Sequence, residues 1–226
     1  MFIGHWAPAL AAAAVSKDAP KLSTLFIGAQ LVDWGFMAFG LVGLEKVRIE
    51  PGFTALSPLD LYHMPFTHSL VGTLVWALVF AFIIMVGRRN AGAAILAGLV
   101  VLSHWVLDWL VHAPDLTLAG GENKFGLGLW DYPWIVIPLE LVLVIGSFTY
   151  YMRRTKGPMG PAFVLLFVLL AMQAFSWFGP APSPNPTIFF ITGLVAFTII
   201  TLLAKWVGDT RWHKSQVGLA VPSAYR

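Results

Sequence analysis

The chain has 226 residues, of which 58% are hydrophobic and only 11% are charged, and its mean hydropathy is +0.77. A soluble domain carries about 25% charged residues, so this composition excludes a soluble globular protein and predicts an all-α, polytopic membrane helix bundle that forms one domain over residues 1–226. The absence of cysteine excludes disulfides and thiolate metal sites. The net charge of +3 arises in short loops between apolar segments, which is typical of membrane topology, and no nucleic-acid partner is expected.

The first predicted element is a short, alanine-rich helix over Ile3–Val15. Its 13 residues reach about 20 Å, which falls short of the roughly 30 Å hydrocarbon core of a membrane. The helix is therefore either a partial span that is buried in the bundle or a short, tilted span. The polar turn SKDAPK separates it from the rest of the chain.

Six longer apolar segments follow, and each is predicted to cross the membrane. They are residues 22–44, 66–86, 90–113, 134–152, 162–178 and 187–206. Residues 45–65 and 114–133 are predicted to be irregular, because they are interrupted by Gly and Pro. Residues 179–186, GPAPSPNP, are predicted to form a rigid loop, and the segments show no internal repeat.

The lysines and arginines divide into two unequal groups if the spans alternate in direction. Eleven of the 14 fall on one side, and these are Lys17, Lys21, Arg88, Arg89, Arg153, Arg154, Lys156, Lys205, Arg211, Lys214 and Arg226. The positive-inside rule predicts that this side, which includes the C-terminus, is cytoplasmic. Met1 and the two irregular stretches are then extracytoplasmic.

The segment at residues 90–113 carries a column of ionisable side chains. His104, Asp108 and His112 recur at every fourth position, which places them on one face of an α-helix, one turn apart. Charged groups inside a membrane segment cost a few kcal/mol each on insertion scales, and by default they indicate a functional site. Asp115 follows shortly after the column.

Other segments bring ionisable groups to the same predicted depth, which is the outer half of the bilayer or its boundary. These groups are His5, Asp33, His63, His68 and Glu140. The inner half holds almost none, so the pattern indicates one site rather than scattered polar residues of the core. Imidazoles and carboxylates without thiolates suit a hydrolytic site with one or two divalent ions, with zinc preferred and manganese or iron as alternatives.

The preferred metal ligands are His5, Asp33, His68, His104 and Asp108, and an aspartate of this set could bridge two ions. His63 could be a further ligand or a solvated loop residue, and His68 could simply enter its helix behind Thr67 as the N-cap. His112 is a candidate catalytic acid or base or a further metal ligand, or it forms an outer rim at the membrane boundary with the aspartate that follows it. Glu140 is a candidate catalytic acid, or it pairs with a neighbouring Trp or Tyr.

Four short stretches, taken in order, resemble a known family. They are GHWAPALAAA near the N-terminus, LVDW at 31–34, HMPFTHSL at 63–70 and LSHWVLDWLVHAPD at 102–115. This set resembles the bacterial membrane-bound metal-dependent hydrolases, a family that includes an inner-membrane protein of the LexA regulon. The resemblance covers about residues 1–140, the half that carries the metal site, and implies metal ligands at His5, Asp33, His63, His68, His104 and Asp108.

The resemblance also implies a multi-pass protein of the bacterial inner membrane whose site faces the periplasm. Met64 stands where family members often have arginine, which disfavours a substrate recognised only through phosphate. The two C-terminal spans within residues 162–206 carry no motif of the family.

Three classes of function are compatible with the sequence. The first is a metal-dependent hydrolase that acts on a membrane lipid or another amphiphile. The second is a non-catalytic accessory or assembly subunit of a larger membrane complex, with a structural metal or none, in which the C-terminal spans would be docking helices. The third is a transporter of metal ions or protons. The third is disfavoured because no polar path crosses the cytoplasmic half and no pair of broken helices is evident.

Overall fold

The computed structural model describes residues 1–216, so Arg226, which was counted above with the cytoplasmic basic residues, lies outside the described part. The described chain is a helix bundle. Its α-helices are α1 (Trp6–Val15), α2 (Leu22–Ala29), α3 (Leu31–Leu41), α4 (Leu70–Arg88), α5 (Ala91–Val111), α6 (Pro133–Arg154), α7 (Met159–Phe178) and α8 (Pro186–Thr210). By length and composition, α4 to α8 can each cross a membrane, and the bent pair α2 and α3 gives a sixth span. The predicted all-α bundle with about six spans is confirmed.

The long helices present apolar side chains on the outside of the bundle. In the most apolar part of α4, only 22% of the residues are buried. Leu78 and Phe82 of α4 and Phe167 of α7 are about 70% exposed. A surface of this kind is stable against lipid chains and not against water, so the chain is a multi-pass membrane protein.

The short helix α1 lies in the middle of the bundle. Most of its side chains are buried, including Trp6, Ala9 and Leu10. Its many alanines allow α2 and α6 to pack closely against it. A 3-10 turn, Ile3–His5, precedes it. Of the two alternatives for this segment, the structure contains the partial span that is buried in the bundle.

Residues 22–44, which were predicted to form one span, contain two helices instead of one continuous helix. The helices α2 and α3 meet at Gln30 with a bend of 55°, although this stretch contains no proline. The carbonyl of Ala29, at the end of α2, accepts a hydrogen bond from Nδ1 of His104 at 2.8 Å. A backbone carbonyl inside a membrane needs a partner, and here a side chain from α5 provides one at the break.

Two loop regions close the bundle at one end. Residues 45–65 were predicted to be irregular, but they contain an antiparallel hairpin of β1 (Lys46–Ile49) and β2 (Leu59–His63). Residues 114–133 fold back over the end of α5, where the N–H groups of Leu127 and Gly128 donate to the carbonyls of Trp109 and His112. These loops therefore cover the end of the bundle at which the polar column of α5 lies.

Basic residues gather at the opposite end. Arg88 donates to the carbonyl of Ala19, and Arg154 donates to the carbonyl of Ala14. The short strands β3 (Thr155–Lys156) and β4 (Trp212–His213) pair there. Arg211 donates to the carbonyls of Gly157 and Pro158. The turns that the positive-inside argument grouped together thus contact one another.

Candidate metal centre

The column predicted on α5 lies inside the protein. His104 and Asp108 are each 1% exposed and lie one helical turn apart. His112 follows the last residue of α5, and its N–H still donates to the carbonyl of Asp108 at 2.8 Å. His112 is 3% exposed, because the loop over residues 114–133 covers it; its position at the membrane boundary stays a prediction.

Asp108 lies at the centre of the cluster, and its two carboxylate oxygens face different imidazoles. Oδ2 lies 3.1 Å from Nε2 of His104 and 3.7 Å from Nε2 of His68. Oδ1 lies 3.0 Å from Nε2 of His5 and 3.2 Å from Nε2 of His112. Four histidines from three different parts of the chain therefore surround one aspartate.

Asp33, in the first turn of α3, completes the cluster. Its Oδ1 lies 3.2 Å from Nε2 of His68 and 3.6 Å from Nε2 of His104. Its side chain is 19% exposed, whereas those of His68 and His104 are 3% and 0% exposed. Asp33 therefore lies at the more accessible edge of a site that is otherwise buried.

Several polar atoms of the cluster have no hydrogen-bond partner in the protein. They are Nδ1 and Nε2 of His5, Nε2 of His104 and Oδ2 of Asp108. A buried polar atom without a partner costs about 1–3 kcal/mol, so four of them in one place need an explanation. Ligand atoms of His5, His104 and Asp108 lie within 4.8 Å of one another, as do those of Asp33, His68 and His104. This donor set fits a divalent cation.

A backbone carbonyl orients the imidazole of His104. Its Nδ1 atom is 2.8 Å from the carbonyl oxygen of Ala29, at the break between α2 and α3. Because a carbonyl can only accept, Nδ1 carries the proton and Nε2 turns its lone pair toward Asp33 and Asp108. Metal-binding histidines typically have this arrangement, in which a second partner fixes the tautomer.

His68 is oriented by a residue that the sequence analysis missed, Glu45. The hydroxyl of Thr67 donates to Oε2 of Glu45 at 2.6 Å and lies 2.8 Å from Nδ1 of His68. The hydroxyl proton goes to the carboxylate, so Thr67 accepts from Nδ1–H and leaves the Nε2 lone pair of His68 free. Ser69, and not Thr67, is the N-cap of α4. The only sequence signal for Glu45 is an acid directly after an apolar segment.

His112 forms a carboxylate–imidazole pair. Its Nδ1 lies 2.9 Å from Oδ1 of Asp115, and its ring lies 4.2 Å from that of Trp130. The carboxylate of Asp108 also faces this imidazole, with Oδ1 at 3.2 Å from Nε2. Since Asp115 accepts the Nδ1 proton, Nε2 of His112 is directed at Asp108.

Glu140 lies behind the cluster, where it holds the N-terminal turn. Its Oε1 accepts the N–H groups of Phe2 and Gly4, each at 2.9 Å. Gln173 of α7 accepts the N–H of Ile3 at 3.1 Å. These contacts fix the turn that presents His5. They give Glu140 a positioning role, and its predicted role as a catalytic acid stays a prediction.

The amino group of Met1 also reaches the site, where it lies 2.6 Å from Oδ1 of Asp108. The positions of Gln173 and Met1 in the site were not anticipated. A lone glutamine in an otherwise apolar helix was the available signal for Gln173.

The structure does not bring His63 to the cluster, contrary to its prediction as a ligand. His63 is the last residue of β2, pairs across the hairpin with Lys46 and has an exposed side chain. It lines a small surface pocket together with Asp115 and Lys124.

Comparisons of the chain with protein-family models, with curated proteins and with solved structures find no match. The function must therefore be argued from the site itself.

Proposed function

We propose that the chain is a metal-dependent hydrolase of the bacterial inner membrane that acts on a lipid or another amphiphile. One ion, most suitably Zn²⁺, would be held by Asp33, His68, His104 and Asp108. His5 and His112 approach the other oxygen of Asp108 and complete the site.

The observation that carries the proposal is the spacing of four ligand atoms. In the order His68 Nε2, Asp33 Oδ1, His104 Nε2 and Asp108 Oδ2, neighbouring atoms are 3.2, 3.6, 3.1 and 3.7 Å apart. Ligands about 2.1 Å from a tetrahedral zinc ion are separated by about 3.4 Å. Four of the six separations of this set therefore lie near the tetrahedral value, and the ligand atoms of Asp33, His68 and His104 all lie within 4.8 Å of one another.

The donor set is compatible with metal-dependent hydrolysis. Two imidazoles and two carboxylates suit zinc, and manganese or iron are the alternatives. A bound ion of this kind supplies Lewis acidity, which polarises a carbonyl or phosphoryl oxygen and makes water nucleophilic near neutral pH. The protein orients both imidazoles through Ala29 and Thr67 and excludes bulk water, because Asp33 alone among the four ligands is appreciably exposed.

The proposed location follows from the charge pattern and the apolar surface. The contacting turns at Arg88, Arg154 and Arg211 would face the cytoplasm, and the cluster at the other end would face the periplasm. A site at that depth, within an apolar exterior, is suited to substrates that enter from the lipid leaflet.

Transport is the second candidate, because the structure contains a broken helix pair at Gln30 that the sequence did not reveal. Broken helices bind ions in many transporters. Here, however, the carbonyl at the break is used by His104. Beyond it, toward the basic end, Leu25, Leu22 and Ala14 are buried and apolar. The described residues thus favour a closed site over a path.

The test is hydrolysis by the purified protein in lipid nanodiscs with Zn²⁺, using amphiphiles that carry phosphoester, carboxyl ester or amide bonds. We expect activity that a chelator removes and Zn²⁺ restores. His104→Ala should lose it, by at least 100-fold. His63→Ala is the matched control, because this imidazole lies outside the cluster. Equal activity in wild type and His104→Ala would contradict the proposal, as would Zn²⁺ uptake into vesicles without any hydrolysis.

A further inference from the structure

The rings of His5 and His104 constrain how many ions the cluster can hold. They lie face to face, with 3.7 Å between ring centroids and 6° between ring planes. The lone pair of an imidazole nitrogen lies in the ring plane, so a bound ion lies close to that plane. Parallel planes at this separation have no point in common. One ion therefore cannot take both imidazoles in good geometry.

The same two imidazoles contact different carboxylate oxygens of Asp108. Oδ2 approaches His104, at 3.1 Å, and Oδ1 approaches His5, at 3.0 Å. Each stacked ring therefore faces its own carboxylate oxygen. In two-metal enzymes the ions are about 3.5–4 Å apart, which is close to the separation of these stacked rings.

The imidazole of His5 is buried against Asp108 without a hydrogen bond of good geometry. It is 1% exposed, and neither of its ring nitrogens makes a hydrogen bond. Its Nε2 is close to Oδ1 of Asp108 without hydrogen-bond geometry. Glu140 and Gln173 hold the turn that carries this imidazole, so the protein fixes a buried, unpaired nitrogen against a carboxylate.

We infer that the site binds two divalent ions bridged by Asp108. The first is the ion already proposed, on Oδ2. The second lies on Oδ1, with Nε2 of His5 and Nε2 of His112 as its other protein ligands. This ion would replace the ammonium of Met1 as the charge partner of Oδ1. His112 is then a ligand oriented by Asp115, and not the acid or base predicted from the sequence, since both roles use the same lone pair.

This inference rests on the proposed metal centre and is tested by stoichiometry, which does not depend on activity. The full chain is purified in detergent, stripped with a chelator, dialysed against Zn²⁺ and analysed for zinc per chain. We expect two ions in the wild type and one in His5→Ala and in His112→Ala. His63→Ala, the matched control, should keep two.

The outcomes separate the second ion from the first. One zinc in the wild type, unchanged by His5→Ala, overturns the second ion and leaves the single-ion centre intact. No zinc in the wild type overturns both. Two zinc ions in both the wild type and His5→Ala overturn the assignment of His5.

If the variants do not fold, X-ray absorption spectroscopy on the zinc-loaded wild type tests the same inference, because it measures the distance between the two ions. A zinc–zinc scattering shell at about 3.5–4 Å is expected. Its absence at two zinc ions per chain would contradict a bridged pair.

Discussion

At the scale of single residues, the site depends on where two imidazole protons lie. The Nδ1–H of His104 donates a hydrogen bond to the carbonyl of Ala29, and the Nδ1–H of His68 donates one to the hydroxyl of Thr67. In both rings Nε2 is therefore the nitrogen that faces the carboxylates. Such preorientation reduces the cost of binding, because the rings need not be ordered at that moment.

Thr67→Val tests this orientation with almost no change in shape. The hydroxyl between Glu45 and His68 is lost, so the tautomer of His68 is no longer fixed. We expect Zn²⁺ affinity, measured by competition with a chelator in detergent, to fall by about 10–100-fold. Thr198→Val, at an exposed position of α8, should bind as the wild type does. An unchanged affinity in Thr67→Val would show that the hydroxyl does not orient the ligand.

Glu140→Gln separates positioning from catalysis. The amide oxygen can still accept the N–H groups of Phe2 and Gly4, so a positioning residue should keep activity within a few-fold of wild type. A catalytic acid would lose about 10²–10⁴-fold. Glu140→Leu should destabilise the protein in either case, because two buried N–H groups lose their acceptor at about 1–3 kcal/mol each. The measurements are hydrolysis rate and apparent melting temperature.

At the scale of the elements, the most consequential feature is the break between α2 and α3. The stretch LFIGAQLVDW is apolar and free of proline, so local sequence predicts one helix. The break is accompanied by a distant contact, His104 to Ala29, and no local pattern encodes it. The hairpin was not predicted, because the Gly and Pro residues within residues 45–65 indicated irregular structure.

The loop that covers the end of α5 gives a prediction for Gly126. A Cβ atom here would lie 2.4 Å from the carbonyl oxygen of Ala113 and 2.5 Å from that of His112. Gly126→Ala should therefore push the loop away from His112 and destabilise the protein by about 1–3 kcal/mol, seen as a lower melting temperature and weaker Zn²⁺ binding. Gly146→Ala, where a Cβ meets open space, is the control. Equal melting temperatures for the two variants would contradict the prediction that a Cβ atom at residue 126 displaces the loop.

At the scale of the whole molecule, depth in the membrane was the most informative sequence property. Placing ionisable residues by depth predicted that His5, Asp33, His68, His104 and Asp108 would be neighbours, and the structure brings them together. Depth does not report position around the bundle axis. His63 was therefore wrongly grouped with the cluster, and the buried positions of Glu45 and Gln173 could not be recognised.

The proposed orientation can be tested with single cysteines, because the chain contains none. Glu122 and Lys156 are exposed and lie at opposite ends of the bundle, Glu122 in the loop over residues 114–133 and Lys156 in β3. In intact cells we expect Glu122→Cys to react with a membrane-impermeant maleimide, and Lys156→Cys to react only after the inner membrane is permeabilised. The reverse pattern would place the site toward the cytoplasm.

The buried turn that carries His5 can reach its final position only after later parts of the chain have been made. The residues that hold the turn of His5 are made later than the turn itself: Glu140 comes 138 residues after Phe2, and Gln173 comes 170 residues after Ile3. At 5–20 residues per second, that interval is roughly 10–30 s. During this time α1 is too short to span the bilayer alone and has no bundle to enter. This segment must therefore wait near the membrane surface and dock among helices made after it, so the site can form only after α6 and α7 have been made.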